Sequence, residues 1–302
     1  LAMYVIRHKE WEGIDTISFR LNPRYVNPSM WFHQRDEKNY APSIRRLFPG
    51  ISLRSQKTEY GTCYYCDIQH ERLMMGADIL FQVEAMVYLL IQTRCIIIPP
   101  KYADRPVFVS HYGLPILIKL SALDFFFDFK QKDAVFSEIP HGFETTRYSP
   151  DHKKKTSLIC LYDKNAEFES MFRNGKLKGI TRTDAPMRCE IRLRNSNSQY
   201  LNLKNLEGTY QQVFWRYRMV LARIWRRYGN SVGKIGADIR HENFQQIQFL
   251  ANSGEKLPNL DELKKKPSGT FVPPPYQKST VNIDIEKYND IIFFFPRKTS
   301  VS

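Results

Sequence analysis

The amino-acid sequence predicts an α+β fold: a largely antiparallel central sheet flanked by helices, with a long basic amphipathic helix after the sheet. Three observations carry that expectation. Strand-like runs between residues 117 and 195 follow one another through short links, which suits successive antiparallel strands better than a doubly wound sheet. Residues 77–92 and 206–228 repeat their apolar side chains at helical spacing. With 302 residues, 42% of them hydrophobic, the chain can bury a substantial core in one large domain or two modest ones.

The first strand is expected at "GIDTISFRL", where Asp15, Ile17, Phe19 and Leu21 share one side and Thr16, Ser18 and Arg20 the other. "TCYYCDIQ" reads as the next. The helix over 77–92 carries Ile79, Leu80, Val83, Met86, Val87 and Leu90 on its apolar side, and "CIIIPP" after it looks like a short strand stopped by prolines. "LIKLSALDFFFDF" suits a buried central strand. Further strands are expected at "AVFSEI", "FETTRYS", "TSLICLYDK" and "MRCEIRLRN", with "SPDHKKK" as a basic turn. The long helix over 206–228 aligns Leu206, Tyr210, Val213, Phe214, Tyr217, Leu221, Ile224 and Tyr228, with Arg216, Arg223 and Arg227 about 100° around it. Another helix covers 242–251. After Gly254 a proline-rich polar stretch reads as a linker, and "NDIIFFFPRK" as a tail able to dock on the body or on another subunit. One domain over 1–253, with sub-halves 1–105 and 106–253, is therefore expected before a linker and tail over 254–302. No internal repeat is visible in the sequence.

Charge narrows the partners. Forty-five Lys and Arg against 31 Asp and Glu give +14, and such a balance attracts polyanions, nucleic acid first and an anionic membrane surface second. No apolar run approaches the roughly 20 residues of a membrane span, and nothing N-terminal resembles a signal peptide. Five cysteines, an odd number, suit a reduced cytoplasmic protein. Cys63 and Cys66 form C-x-x-C with His70 close behind, but a zinc site needs four ligands and no second pair follows at a usual spacing. Walker, dinucleotide-binding, zincin and G-x-S-x-G motifs are absent, which removes the main support for those chemistries.

Strand alternation then assigns faces. Asp124 and Asp128 point the same way as Phe126 and Lys130, opposite Leu123, Phe125, Phe127 and Phe129; Arg188, Glu190, Arg192 and Arg194 form the row opposite Cys189, Ile191 and Leu193. Leu158, Cys160, Tyr162 and Lys164 share a third face. If these strands are neighbours, Asp124, Asp128 and Glu190 could hold a hard cation, Mg²⁺ or Mn²⁺, beside Tyr162 and Lys164, where a phosphodiester would be polarised. A phenol with a pKa near 10 needs a metal, a base or a cationic neighbour to act as nucleophile. Each feature also has a structural reading: a strand tyrosine, a solvated Arg/Glu row with cross-strand ion pairs, a wet arginine stripe, and a solvated hairpin tip at Lys153, Lys154 and Lys155.

The segments "IDTISFRL", "LSALDFFFDF", "TRYSPDHKKKTSLICLYDKNAEF" and "RCEIRLRN", in that order over 14–195, resemble the replication-initiator proteins of rolling-circle plasmids and filamentous phages and the related relaxases of mobile elements. The resemblance implies a metal-dependent nickase and strand transferase: a tyrosine attacks a DNA phosphodiester at an origin, stays joined to the 5′ phosphate and leaves a 3′ hydroxyl for a polymerase. Carried over, Tyr162 is the nucleophile and Lys164 its electrostatic helper. Asp124, Asp128 and Glu190 are the metal ligands, with Glu167 in reserve. Lys153, Lys154, Lys155, Arg188, Arg192, Arg194, Arg216, Arg223 and Arg227 are the DNA contacts. Origin DNA as a hairpin or single-stranded nick site, a host helicase and a second subunit are the implied partners, in the cytoplasm of a bacterial host. None of the seven histidines forms a His-hydrophobe-His pair, so the carboxylate version of the chemistry applies. Tyr148, just before the basic turn, is the alternative nucleophile. A non-catalytic DNA- or RNA-binding protein using the same basic surfaces is the competing class, and a structural protein whose charge serves assembly ranks below both.

Overall fold

The computed structural model describes residues 11–36, 44, 50–69, 78–98, 114–130, 146–149, 157–174, 184–194, 201–232 and 238–257. The expected strand at "AVFSEI", the lysines of the basic turn, and the tail with its "IIFFF" lie outside the described residues. Strands β1 (Glu12–Leu21), β2 (Ile51–Thr58), β3 (Gly61–Gln69), β4 (Ile118–Phe129), β5 (Thr146–Ser149), β6 (Ile159–Asp163) and β7 (Met187–Arg194) form a sheet in the order β2-β3-β1-β4-β7-β6-β5. The β1–β3, β2–β3, β5–β6 and β6–β7 ladders are antiparallel. The helices are α1 (Pro28–Asp36), α2 (Ile79–Gln92), α3 (Lys164–Arg173), α4 (Tyr210–Tyr228) and α5 (Glu242–Asn252). The fold is α+β. None of the described helices is long and apolar enough to cross a membrane.

The chain divides into two compact units: one of residues 1–15, 123–200 and 214–265, the other of 16–122, 201–213 and 266–302. Strands β1 and β4 and helix α4 each contribute residues to both units.

In the unit containing α2, register sets Phe19, Cys66 and Leu53 abreast, and likewise Ile17, Ile68 and Ile51. All six are buried, and the Cys66 thiol lies 3.3 Å from Met86 Sδ of α2, so this face packs on the helix. Asp78 starts that helix. Its Oδ1 accepts from Phe81 N at 3.0 Å and its Oδ2 from Gly208 N at 2.7 Å. Gly208 returns its carbonyl to Ile79 N at 2.9 Å, with a φ of +92° that favours glycine. Cys63 and Cys66 are three residues apart on a strand and so point to opposite sides: Arg20 Nη2 donates to Cys63 Sγ at 3.2 Å while Cys66 is buried. The C-x-x-C is thus two unrelated thiols.

In the other unit, Phe125 packs on Phe214 and Tyr217 of α4 with ring centroids 6.2 and 5.8 Å away, and Phe127 on Phe244 of α5 at 5.0 Å. Arg226 of α4 donates to the carbonyls of Leu250 (2.9 Å), Ala251 (2.5 Å) and Ser253 (2.6 Å), satisfying the open C-terminal end of α5. The apolar stripe expected on α4 is buried from Tyr210 to Ile224, but the α-helix begins at Tyr210; Leu203–Leu206 is a separate 3₁₀ turn.

Further departures have local causes. β2 was not anticipated, because only Ile51 and Leu53 of "ISLRSQKT" are apolar and the rest is an exposed edge. "CIIIPP" contributes a single bridge, Val26 to Ile96, in place of a strand. In chain order β3 returns beside β1 after β2, with α2 following, and β7 returns beside β4 after β5 and β6, with α4 following.

Candidate active site

The candidate site lies within the unit that holds β6 and β7. Their register sets Cys160 opposite Glu190 and Tyr162 opposite Arg188, so Tyr162 and Glu190 are diagonal neighbours on one face. The Tyr162 hydroxyl donates to Glu190 Oε1 at 2.7 Å. The other carboxylate oxygen, Oε2, accepts from Arg192 Nε and Nη2 at 2.9 and 2.6 Å, and Arg192 Nη1 donates to Ser157 Oγ at 3.3 Å. Arg188 reaches the central strand: its Nε and Nη2 fork onto Asp128 at 2.6 and 2.8 Å, its Nη1 donates to Asp15 at 2.6 Å, and its guanidinium stacks 4.0 Å over Phe126. Arg194 forks onto Asp124, with Arg192 3.9 Å from the same carboxylate.

The structure therefore brings together Tyr162, Glu190, Asp124, Asp128, Arg188, Arg192 and Arg194, as the alternation of faces implied. The arginine row is not a solvated face: Arg188 and Arg192 are each 4% exposed, with their guanidinium groups turned onto carboxylates. Lys164 is a second correction. The strand ends at Asp163, whose carboxylate caps α3 by accepting from Asn165 N (2.8 Å) and Ala166 N (3.2 Å), so Lys164 is the first residue of a helix. Its Nζ pairs with Glu167 at 2.8 Å and lies 5.6 Å from the Tyr162 ring centroid. Asp15 and Ser157 were missed as members of the cluster. The signal for Asp15 was available: an acid in the row of Ile17, Phe19 and Leu21 needs a partner if buried. Tyr148 pairs with Cys160 in the neighbouring ladder. Arg216 and Arg227 of α4 are exposed and Arg223 is half-buried.

Burial, and then the negative charge of Glu190, push the Tyr162 phenol well above its ordinary value against the opposing effect of Arg188. Tyr162 is therefore a neutral donor in the resting site. Burial opposes the Arg188 charge, but the hydrogen bonds and negative charges of Asp128 and Asp15 outweigh it and keep the guanidinium protonated.

Asp124 is also shifted upward, by burial, with Arg194 and Arg192 opposing. An acid that binds its proton more tightly in the folded chain favours folding fully below about pH 4, and that contribution is lost as pH rises through the folded value. Stability measured by urea titration at a series of pH values should therefore show the wild type losing ground to Asp124→Asn from about pH 4 upward. A wild-type advantage that grows with pH would contradict this assignment.

The donor set bears directly on a metal. Asp124, Asp128 and Glu190 each already accept an arginine fork. A hard cation at these oxygens would have to displace a guanidinium. Comparison with family models, curated proteins and solved structures gave no match.

Proposed function

We propose that the protein nicks and rejoins one strand of DNA with Tyr162 as nucleophile, starting rolling-circle replication or transfer of a mobile element. The observation that carries this reading is the 2.7 Å bond from the Tyr162 hydroxyl to Glu190, whose other oxygen is held by Arg192. A nucleophile on a base that is itself oriented by a third group is the arrangement covalent catalysis requires. In the step proposed, the phenolic proton passes to Glu190 as the phenol oxygen attacks phosphorus. The P–O3′ bond breaks, the 3′ oxygen takes a proton from water, and the 5′ phosphate stays on Tyr162. Reversal by a 3′ hydroxyl rejoins the strand without a nucleotide triphosphate. Arg188, opposite Tyr162 in the ladder, and Lys164, with its Nζ 5.6 Å from the tyrosine ring centroid, are cations able to offset charge on the phosphoryl group. Origin DNA, a host helicase and the bacterial cytoplasm complete the proposal. Dependence on Mg²⁺ or Mn²⁺ belongs to it as a measured variable, and no step is routed through an ion.

The test is adduct formation on single-stranded DNA with Mg²⁺, Mn²⁺ or EDTA, read as protein-linked DNA in a denaturing gel. Tyr162→Phe should abolish the adduct and Tyr148→Phe should leave it. Adduct persisting in Tyr162→Phe would reject the nucleophile; no adduct from the wild type under any of the three conditions would reject the class.

One observation favours a second reading. Tyr162 is only 8% exposed and its proton is held tightly, which suits a non-catalytic nucleic-acid-binding protein whose buried network is structural. That protein would bind DNA or RNA with a steep salt dependence, indifferent to EDTA, and yield no covalent product.

A further inference from the structure

On the outer side of α4, Trp215 is 56% exposed. Arg218 lies 3.6 Å over its ring and also donates to the Trp215 carbonyl, so the indole is held in place by its own helix. Exposed Arg216 and Arg227 and half-buried Arg223 lie together on the adjoining face, about 100° around the helix from Trp215 at about 100° per residue, and Arg227 lies 5.4 Å over the Tyr228 ring. From Arg216 to Arg227 the rise is about 16 Å, a length that a few nucleotides of extended backbone can follow.

We propose that these two adjoining faces of α4 bind single-stranded nucleic acid, with a base stacked on exposed Trp215 and phosphates along the arginines. An exposed indole offers a flat π surface to any base, and cations beside it neutralise the backbone, which is how strands are bound without reading sequence. The chain's +14 charge matches that occupant. This is a different place from the tyrosine site. Phe125 and Phe127 face α4 and α5, whereas Asp124 and Asp128 join Arg194 and Arg188 on the opposite side of β4, with Glu190 and Tyr162. A strand on Trp215 is therefore held across the sheet from the bond that Tyr162 would cut. The inference rests on the nucleic-acid part of the proposed function and not on the nicking.

The probe is a labelled 12-nucleotide oligo(dT) titrated by anisotropy at fixed salt, with the matching duplex and phosphatidylserine vesicles in parallel. Trp215→Ala should weaken oligo(dT) binding about 5- to 150-fold, the range expected for one lost base–aromatic stack. Trp215→Phe should recover most of it, and Tyr60→Ala, an exposed aromatic at the β2–β3 turn, should change nothing. Trp215→Ala binding like wild type overturns this site and leaves the nicking proposal standing. Absence of any wild-type binding to oligo(dT) overturns both this site and the nucleic-acid reading. A Trp215 effect on vesicles alone assigns the surface to lipid and overturns the proposal, as does an equal loss on duplex and single strand.

Discussion

Arg188→Leu is expected to remove about 3–5 kcal/mol of stability, because it leaves buried Asp128 and half-buried Asp15 without their cation. Arg188 makes two bonds to Asp128 and one to Asp15, at 2.6 to 2.8 Å, and stacks on Phe126. At 4% exposure, water has little access to replace those donors. The loss comes from the stranded acids more than from the missing attraction, since desolvating both charges offsets most of what the pair gains. A double variant, Arg188→Leu with Asp128→Leu, should therefore recover part of the loss. Arg188→Lys should fall between, keeping the charge but losing the planar fork. Urea unfolding followed by circular dichroism reads all three, and a loss below about 1 kcal/mol in Arg188→Leu would mean that Asp128 and Asp15 find other donors.

Glu190→Gln should lower the rate of adduct formation about 10²- to 10⁴-fold, the usual contribution of a positioned base. It keeps the shape of the side chain but removes the proton acceptor of Tyr162 and the counter-charge of Arg192. Arg192 would lose its charged partner on Glu190 and keep Asp124 at 3.9 Å, so a fall in stability should accompany the change. The readout that separates base from scaffold is the pH profile. Loss of a base removes the acid limb of the adduct rate, whereas a purely structural change scales the rate at all pH values alike. An unchanged adduct rate would reject Glu190 as the base.

Much of this site was legible before any folding. Alternation along "LDFFFDF" and "RCEIRLR" separates the acids and arginines from the apolar row, because side chains on a strand must alternate whatever surrounds them. The helix over Ile79–Gln92 and the apolar stripe of α4 follow in the same way from their period. Lys164 shows where the method fails. Alternation was carried one residue too far, past an Asp163 that caps a helix, and "KNAEFES" has the composition of a first helical turn as well as of a strand end. β2 was missed because an edge strand with one wet face needs few apolar residues.

What the sequence by itself determined is which residues share a face and which segments can be strands or helices, since both are fixed by local backbone geometry and the period of the side chains. Tertiary structure alone decided the partners: that Glu190 would meet Tyr162 and Arg192, that Arg188 would join Asp15 from β1 to Asp128 from β4, and that the arginine row would be interior. Those outcomes depend on strand order and register between segments up to 173 residues apart. They also depend on the desolvation that burial imposes, and neither is written in any local stretch of the chain.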